Sequence, residues 1–142
     1  MLLKSTFGER FRLHGDSWPK RFGSSGGIPQ KSVAAAYHKS LCSISISHYN
    51  NIGHYFSDRL LLSMASGRPV ISLKFPKWET YFTNNCDLII VNSVEEIPGK
   101  LKWLKENKDA ADFIGKSGAD KVKAEHTYLS RVNELLEKIK LQ

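Results

Sequence analysis

Cysteine is scarce in this chain, and acid is scarce at one end of it. Only 2 cysteines occur in 142 residues, Cys42 and Cys86, each in or beside an apolar run and without metal-type spacing. So few thiols build no disulfide framework. Both are expected to be buried and reduced, which points to an intracellular, cytoplasmic chain. Long apolar runs are missing as well. No stretch of about 18 apolar residues exists, so no helix is expected to span a membrane. Met1-Leu2-Leu3 is followed at once by Lys4, Glu9 and Arg10, unlike a secretory leader. His48 and His54 lack a third ligand at suitable spacing, so no metal is expected. Gly23-Ser24-Ser25-Gly26-Gly27 lacks the Gly-Lys-Ser/Thr ending of a P-loop and reads as a flexible loop. No internal repeat is evident.

What is present fits one folded domain over residues 1–142, with 41% hydrophobic and 25% charged residues. The net charge of +7 is uneven: residues 1–40 hold seven Lys/Arg against two acids. Such a basic segment attracts phosphate, whether of a nucleotide, a nucleic acid or an anionic membrane.

Periodicity divides the chain into alternating elements. Residues 2–7 read as the end of a helix, and Arg10-Phe11-Arg12-Leu13-His14 alternates like a short strand. Ser32 to Ser40 reads as a helix. Strands are expected at 42–47, 70–73 and 88–91, the last two being continuous apolar runs suited to burial on both faces. Ser93 with Glu96 has the spacing of a capping box. Helices follow from there, from about Asp109 and from about Tyr128, where Leu129, Val132, Leu136 and Ile139 form a stripe that is core or domain-contact surface. Strands alternating with helices predict an α/β fold: a parallel sheet of about four strands with helices on both faces, and a helical C-terminal third.

The most informative stretch runs from Ser57 through Asp58, Arg59, Leu60 and Met64 to Gly67, Pro69, Val70 and Ile71. Ser57 is placed to cap a helix, and Gly67 to close it in the left-handed conformation. Arg59 falls in the first turn, where free amides already favour an anion. Its planar fork suits a diphosphate. The bland alternative is an ion pair with Asp58 or with a carboxylate on a neighbouring loop.

This stretch occurs in order with Phe11-Arg12-Leu13-His14-Gly15-Asp16-Ser17-Trp18-Pro19, Gly27-Ile28-Pro29, Trp78-Glu79-Thr80-Tyr81-Phe82, and Glu125-His126-Thr127-Tyr128 with Arg131. The series resembles the C-terminal, donor-binding domain of GT-B glycosyltransferases, notably the CgeB-like and group 1 families. The resemblance covers nearly the whole chain. It implies a Rossmann-like domain, half of a GT-B fold, that holds a nucleotide diphosphate sugar as donor substrate and needs no other cofactor. Its substrate-binding residues would be Arg59, Ser57, Gly15, Glu79, His54 and Trp18. An N-terminal acceptor domain and the first strand and helix of the family domain have no counterpart here. The chain therefore reads as N-terminally truncated relative to the family, served by a separate acceptor-domain partner or by a homodimer. Leu62 stands where many relatives carry a ribose-binding Glu and cannot accept that bond. Two rivals remain: nucleic-acid binding through the basic N-terminal region with Trp18 and Phe22 as stacking groups, the weaker for want of any recognised motif, and a non-catalytic interaction module derived from a glycosyltransferase. His126 reads as packed or capping.

Overall fold

A computed structural model describes residues 2–140 of the chain. Three short strands, β1 (Ser43–Ser45), β2 (Val70–Leu73) and β3 (Ile89–Val91), form one parallel sheet in the order β1-β2-β3. Ile71 is the register point, opposite Ile44 on one side and Ile89 on the other. Among the described residues six helices accompany the sheet: α1 (Leu2–Phe7), α2 (Gln30–His38), α3 (Asp58–Met64), α4 (Ile97–Glu106), α5 (Lys108–Glu125) and α6 (Tyr128–Lys140). The order β1, α3, β2, β3 and α4, with only a 3-10 turn between β2 and β3, is the α/β Rossmann-like arrangement expected from the sequence.

Strand side chains alternate between two cores. On one face Val70, Leu88 and Ile90 meet Leu60 and Met64 of α3, with Phe75, Phe82 and Val122. On the other Ile71, Ile89 and Val91 meet Ile97 and Leu104 of α4 and Ala111 and Ile114 of α5. Each fully buried aliphatic contributes about 1.5–3 kcal/mol relative to exposure. These residues carry the fold.

Two glycines let α5 join the two faces. A Cβ built on Gly115 would overlap the Gly67 carbonyl, just before β2. One on Gly118 would overlap the Asp87 carbonyl, just before β3. The helix thus crosses the amino ends of both strands at backbone contact, passing from Ile114 in one core to Val122 in the other. The loops after the strands are left free at the opposite edge.

Four local expectations are corrected. Residues 10–14 form no strand: a 3-10 turn spans Gly8–Arg10, and the alternation continues as half-buried Phe11 and Leu13 beside exposed Arg12 and His14. Their backbone pairs not with the sheet but with the Ser/Gly segment, through Ser25 N–H to the Leu13 carbonyl at 2.8 Å and Gly15 N–H to the Gly26 carbonyl at 2.9 Å. Alternation reports a two-sided environment, and a loop ribbon provides one as well as a sheet does. The Gly23–Gly27 segment is accordingly one side of that ribbon rather than a free loop. Ser57 makes no side-chain cap; its carbonyl accepts from Leu60 N–H at 2.9 Å. The Ser93–Glu96 box does not close either. A 3-10 turn (Val94–Glu96) intervenes, and the Ser93 hydroxyl bonds the Glu95 carboxylate, holding that group below the usual carboxylate range. Gly67 does close α3 in the left-handed region, at φ 75°.

Candidate functional site

Two loops leave the carboxyl ends of adjacent strands: residues 46–57 after β1 and 74–82 after β2. They are tied together by backbone and by rings. His54 N–H donates to the Pro76 carbonyl at 3.2 Å, and His54 Nδ1 lies 3.1 Å from the Tyr81 hydroxyl. Phe56 packs on Phe75, Tyr81 and Phe82 at centroid distances of 5.9, 5.2 and 5.3 Å. His54 at φ 62° and Lys77 at φ 66° sit in the left-handed region, which non-glycine residues enter at a cost. These are turn positions held by their surroundings.

An open depression of about 340 Å³ lies on this platform, lined by Tyr55, Phe56, Ser57, Asp58 and Arg59. Phe56 is its anchor. Ser57 is half-buried, while Asp58 and Arg59 are exposed. Among the described residues Arg59 forms no ion pair and no side-chain hydrogen bond, so the Asp58 pairing does not occur. A second depression, of about 480 Å³, is made by the turn between α4 and α5 alone, residues Glu106 to Ala110.

The other sequence-derived candidates divide. His54 and the exposed Glu79, in a 3-10 turn (Trp78–Thr80), belong to the two linked loops. Gly15 and Trp18 belong to the N-terminal ribbon, and among the described residues no hydrogen bond or ring contact joins them to Arg59. Trp18 folds back on its own loop. Its Nε1–H donates to the His14 carbonyl at 3.2 Å, and its ring meets Phe22 edge-on at 6.1 Å. Arg21 lies over the Phe22 ring at 5.0 Å. The two rings nominated for base stacking are thus engaged with each other and with Arg21. Leu62 is exposed on α3. Cys42 packs against the second core, and burial pushes its thiol up to about 12, which removes it as a nucleophile at neutral pH.

Sequence reasoning gave no site role to Phe56 or Tyr81. The signal was the doubled aromatics Tyr55-Phe56 and Tyr81-Phe82 in loops, where turn chemistry favours small polar residues. His126 is packed, as expected, but its place is at this platform: the ring contacts Phe56, Tyr81 and Phe82.

The family model described as "Glycosyl transferase-like" matches residues 1–137. No curated protein matches. Among solved structures, a glycosyltransferase from Rickettsia africae ESF-5 is similar with a TM-score of 0.70 at 18% identity, covering 96% of this chain and 41% of that one. Sucrose-phosphate synthase from Thermosynechococcus elongatus gives 0.64 at 15% identity, covering 83% and 30%. The C-terminal domain of a glycosyl transferase group 1 family protein from Francisella tularensis gives 0.57 at 21% identity, covering 77% and 58%. The chain therefore spans about one third to three fifths of the length of these chains. The likeness is one of fold, a GT-B half, and it agrees with the sheet order and with loops gathered at the carboxyl edge. By fold and by the family model together, this chain belongs to the glycosyl transferase-like family.

Proposed function

We propose that the chain is the donor-binding part of a GT-B glycosyltransferase, holding a nucleotide diphosphate sugar at the carboxyl edge of its sheet. The observation that carries this reading is Arg59. It is the cation at the rim of the Tyr55–Arg59 depression, on the first turn of α3, with its guanidinium uncommitted. Open parallel sheets bind ligands at this edge, and a fork of five donors suits two phosphate groups. In this reading Arg59 binds the diphosphate, with the Ser57 hydroxyl beside it and His54 and Glu79 facing the sugar from the linked loops. Gly15 and Trp18 approach from the N-terminal ribbon only if ligand draws that ribbon in.

Transfer breaks the bond between the anomeric carbon and the diphosphate oxygen and forms one to an acceptor hydroxyl. The chain's contribution is to stabilise charge on the departing diphosphate and to fix its position. The acceptor is held by a second domain, a separate chain or a second copy. In support, α6 leaves Leu129, Val132, Leu135, Leu136 and Ile139 each about half exposed or more, and β1 is one of the two edge strands of the sheet.

Calorimetric titration with UDP, GDP and their sugars tests the reading. Arg59→Ala is expected to weaken binding about 10- to 100-fold, the loss of one charged hydrogen-bonding partner. Lys77→Ala on the neighbouring loop is expected to leave it within a few-fold. A folded chain that binds no nucleotide at millimolar concentration would reject the donor role and leave an interaction module.

A further inference from the structure

His126 directly follows α5 as its C-cap and is 9% exposed, yet it touches three elements at once. Its ring lies 6.0 Å from Phe56 at an interplanar angle of 89°, 5.4 Å from Phe82 and 6.3 Å from Tyr81. Its Nδ1 lies 2.8 Å from Arg131 Nη2, on the first turn of α6. A guanidinium only donates. Nδ1 must therefore accept, which places the single ring proton on Nε2, and Nε2 is buried without a hydrogen-bond partner among the described residues. The ring is locked in one tautomer of its neutral form. A second proton has only Nδ1 to occupy, where it would point at the Arg131 donor.

We propose that His126 and Arg131 form a positioning pair that sets the Phe56–Arg59 segment from the α5–α6 junction and lets it go when His126 is protonated. The linkage is short: Arg131 fixes the ring, the ring buttresses Phe56, and Phe56 directly precedes Ser57, Asp58 and Arg59. Protonation would put two cations in contact within an aromatic pocket, so the pair must separate and Phe56 loses that support. The groups facing His126 are Arg131 from α6, Lys121 and Glu125 from α5, and Asp87 from the segment before β3, with the Tyr81 ring above. Asp87 is already committed to Thr83 N–H at 2.8 Å and Ser117 Oγ at 3.2 Å. Burial and Arg131 outweigh the two carboxylates and hold the imidazole below its ordinary range. The coupling is a property of the ligand-free chain, so it stands or falls apart from the donor reading.

The test is nuclear magnetic resonance on the full chain without ligand, between pH 7.5 and pH 5. The Nε2–H tautomer is expected at His126 at the upper pH. The Ser57, Asp58 and Arg59 amide signals are expected to shift with the same midpoint as the His126 ring. In His126→Phe, which keeps an aromatic ring against Phe56, that displacement is lost. In Arg131→Gln, which keeps a donor but removes the charge, the ring and amide midpoints rise together. An Nδ1–H tautomer, amides indifferent to pH in the native chain, or a displacement that survives in His126→Phe, would each overturn the proposal. Should His126→Phe fail to fold, an amide midpoint that stays put in Arg131→Gln does the same.

Discussion

Between Leu60 and Val122 lie all the fully buried hydrophobic residues among the described ones, whereas the first forty residues hold none. The earlier segment is not loose for lack of bonds. Lys4 pairs with Glu9 at 3.1 Å, Asp16 accepts from Gly27 N–H at 2.7 Å, and Ser24 Oγ donates to the Gly15 carbonyl at 2.7 Å. What it lacks is apolar burial, and it carries most of the chain's net positive charge instead. Exposed polar contacts contribute little net stability, so the two regions differ in how firmly they are held rather than in how well they are connected. A rigid platform beside an adaptable basic ribbon suits the anionic-donor site proposed above.

The hardest way to break the comparison is at the α5 crossing. Gly118→Ala or Gly115→Ala places a methyl group on a strand-entry carbonyl, and backbone cannot step aside as a side chain can. A loss of about 3 kcal/mol or more is expected in urea denaturation. Gly99→Ala is the control: it lies in the first turn of α4 with nothing within 4 Å of the added carbon. There a gain of up to about 1 kcal/mol is expected from helix propensity. Equal effects at the two sites would mean that the crossing is not close-packed.

The same contrast explains what the sequence made legible. Val70–Leu73 and Leu88–Val91 announce themselves because burial on both faces demands continuous apolar runs, and Gly67 because few other residues fit a left-handed helix end. The alternation of Arg10 to His14 misleads because its partner, the Ser/Gly segment, offers no apolar signal of its own. The Ser93 cap fails for a local reason, its hydroxyl bonding the Glu95 carboxylate instead, which spacing alone does not reveal; the Ser57 hydroxyl simply makes no cap bond. In the candidate site the Arg59 position is legible from its helix start. The Phe56–His126–Arg131 contact is not, since it joins residues far apart in sequence through α5, whose path depends on the two glycine crossings.

A smaller effect is expected in the ribbon. Gly15 has φ 134°, and an added Cβ would lie 2.9 Å from Trp18 Cδ1. Gly15→Ala should cost about 1–3 kcal/mol of local stability, read as faster amide hydrogen exchange over residues 13–27. Exchange over β2 and β3 should be unchanged. Acceleration throughout the sheet would show that ribbon and core unfold as one unit.

His126 grades the platform's stability with pH. Its folded-state affinity for protons is lowered by burial and then by Arg131, so the unfolded chain binds the proton more tightly. The stabilisation from neutral His126 is complete above the unfolded value of about 6.5. It is lost as pH falls from there through the lower folded value. Denaturation midpoints measured from pH 7.5 downward should decline in that window, and the decline should be shallower in His126→Phe. An equal slope in both proteins would assign the effect to other groups.

The smallest effect on folding is expected at α6, and there the comparison with α5 is sharpest. Both helices are amphipathic, but α5 buries Ala111, Ile114 and Val122, while Leu129, Val132, Leu136 and Ile139 of α6 remain 47–70% exposed. Ion pairs Arg131–Glu134 at 3.0 Å and Lys138–Glu134 at 2.8 Å hold the polar side of α6. Val132→Lys with Leu136→Lys should therefore change stability by no more than about 0.5 kcal/mol per site. A stripe of this length left uncovered favours association, and covering it with a second domain or a second copy is the assembly proposed above. Light scattering on the native chain should then report a species heavier than the 16.1 kDa of one protomer, and the double substitution should return it to that mass. If the native chain stays monomeric at high concentration, self-association is excluded and a separate domain becomes the occupant to seek. If the substitutions instead unfold the chain, α6 contributes to the core in a way that its exposure contradicts.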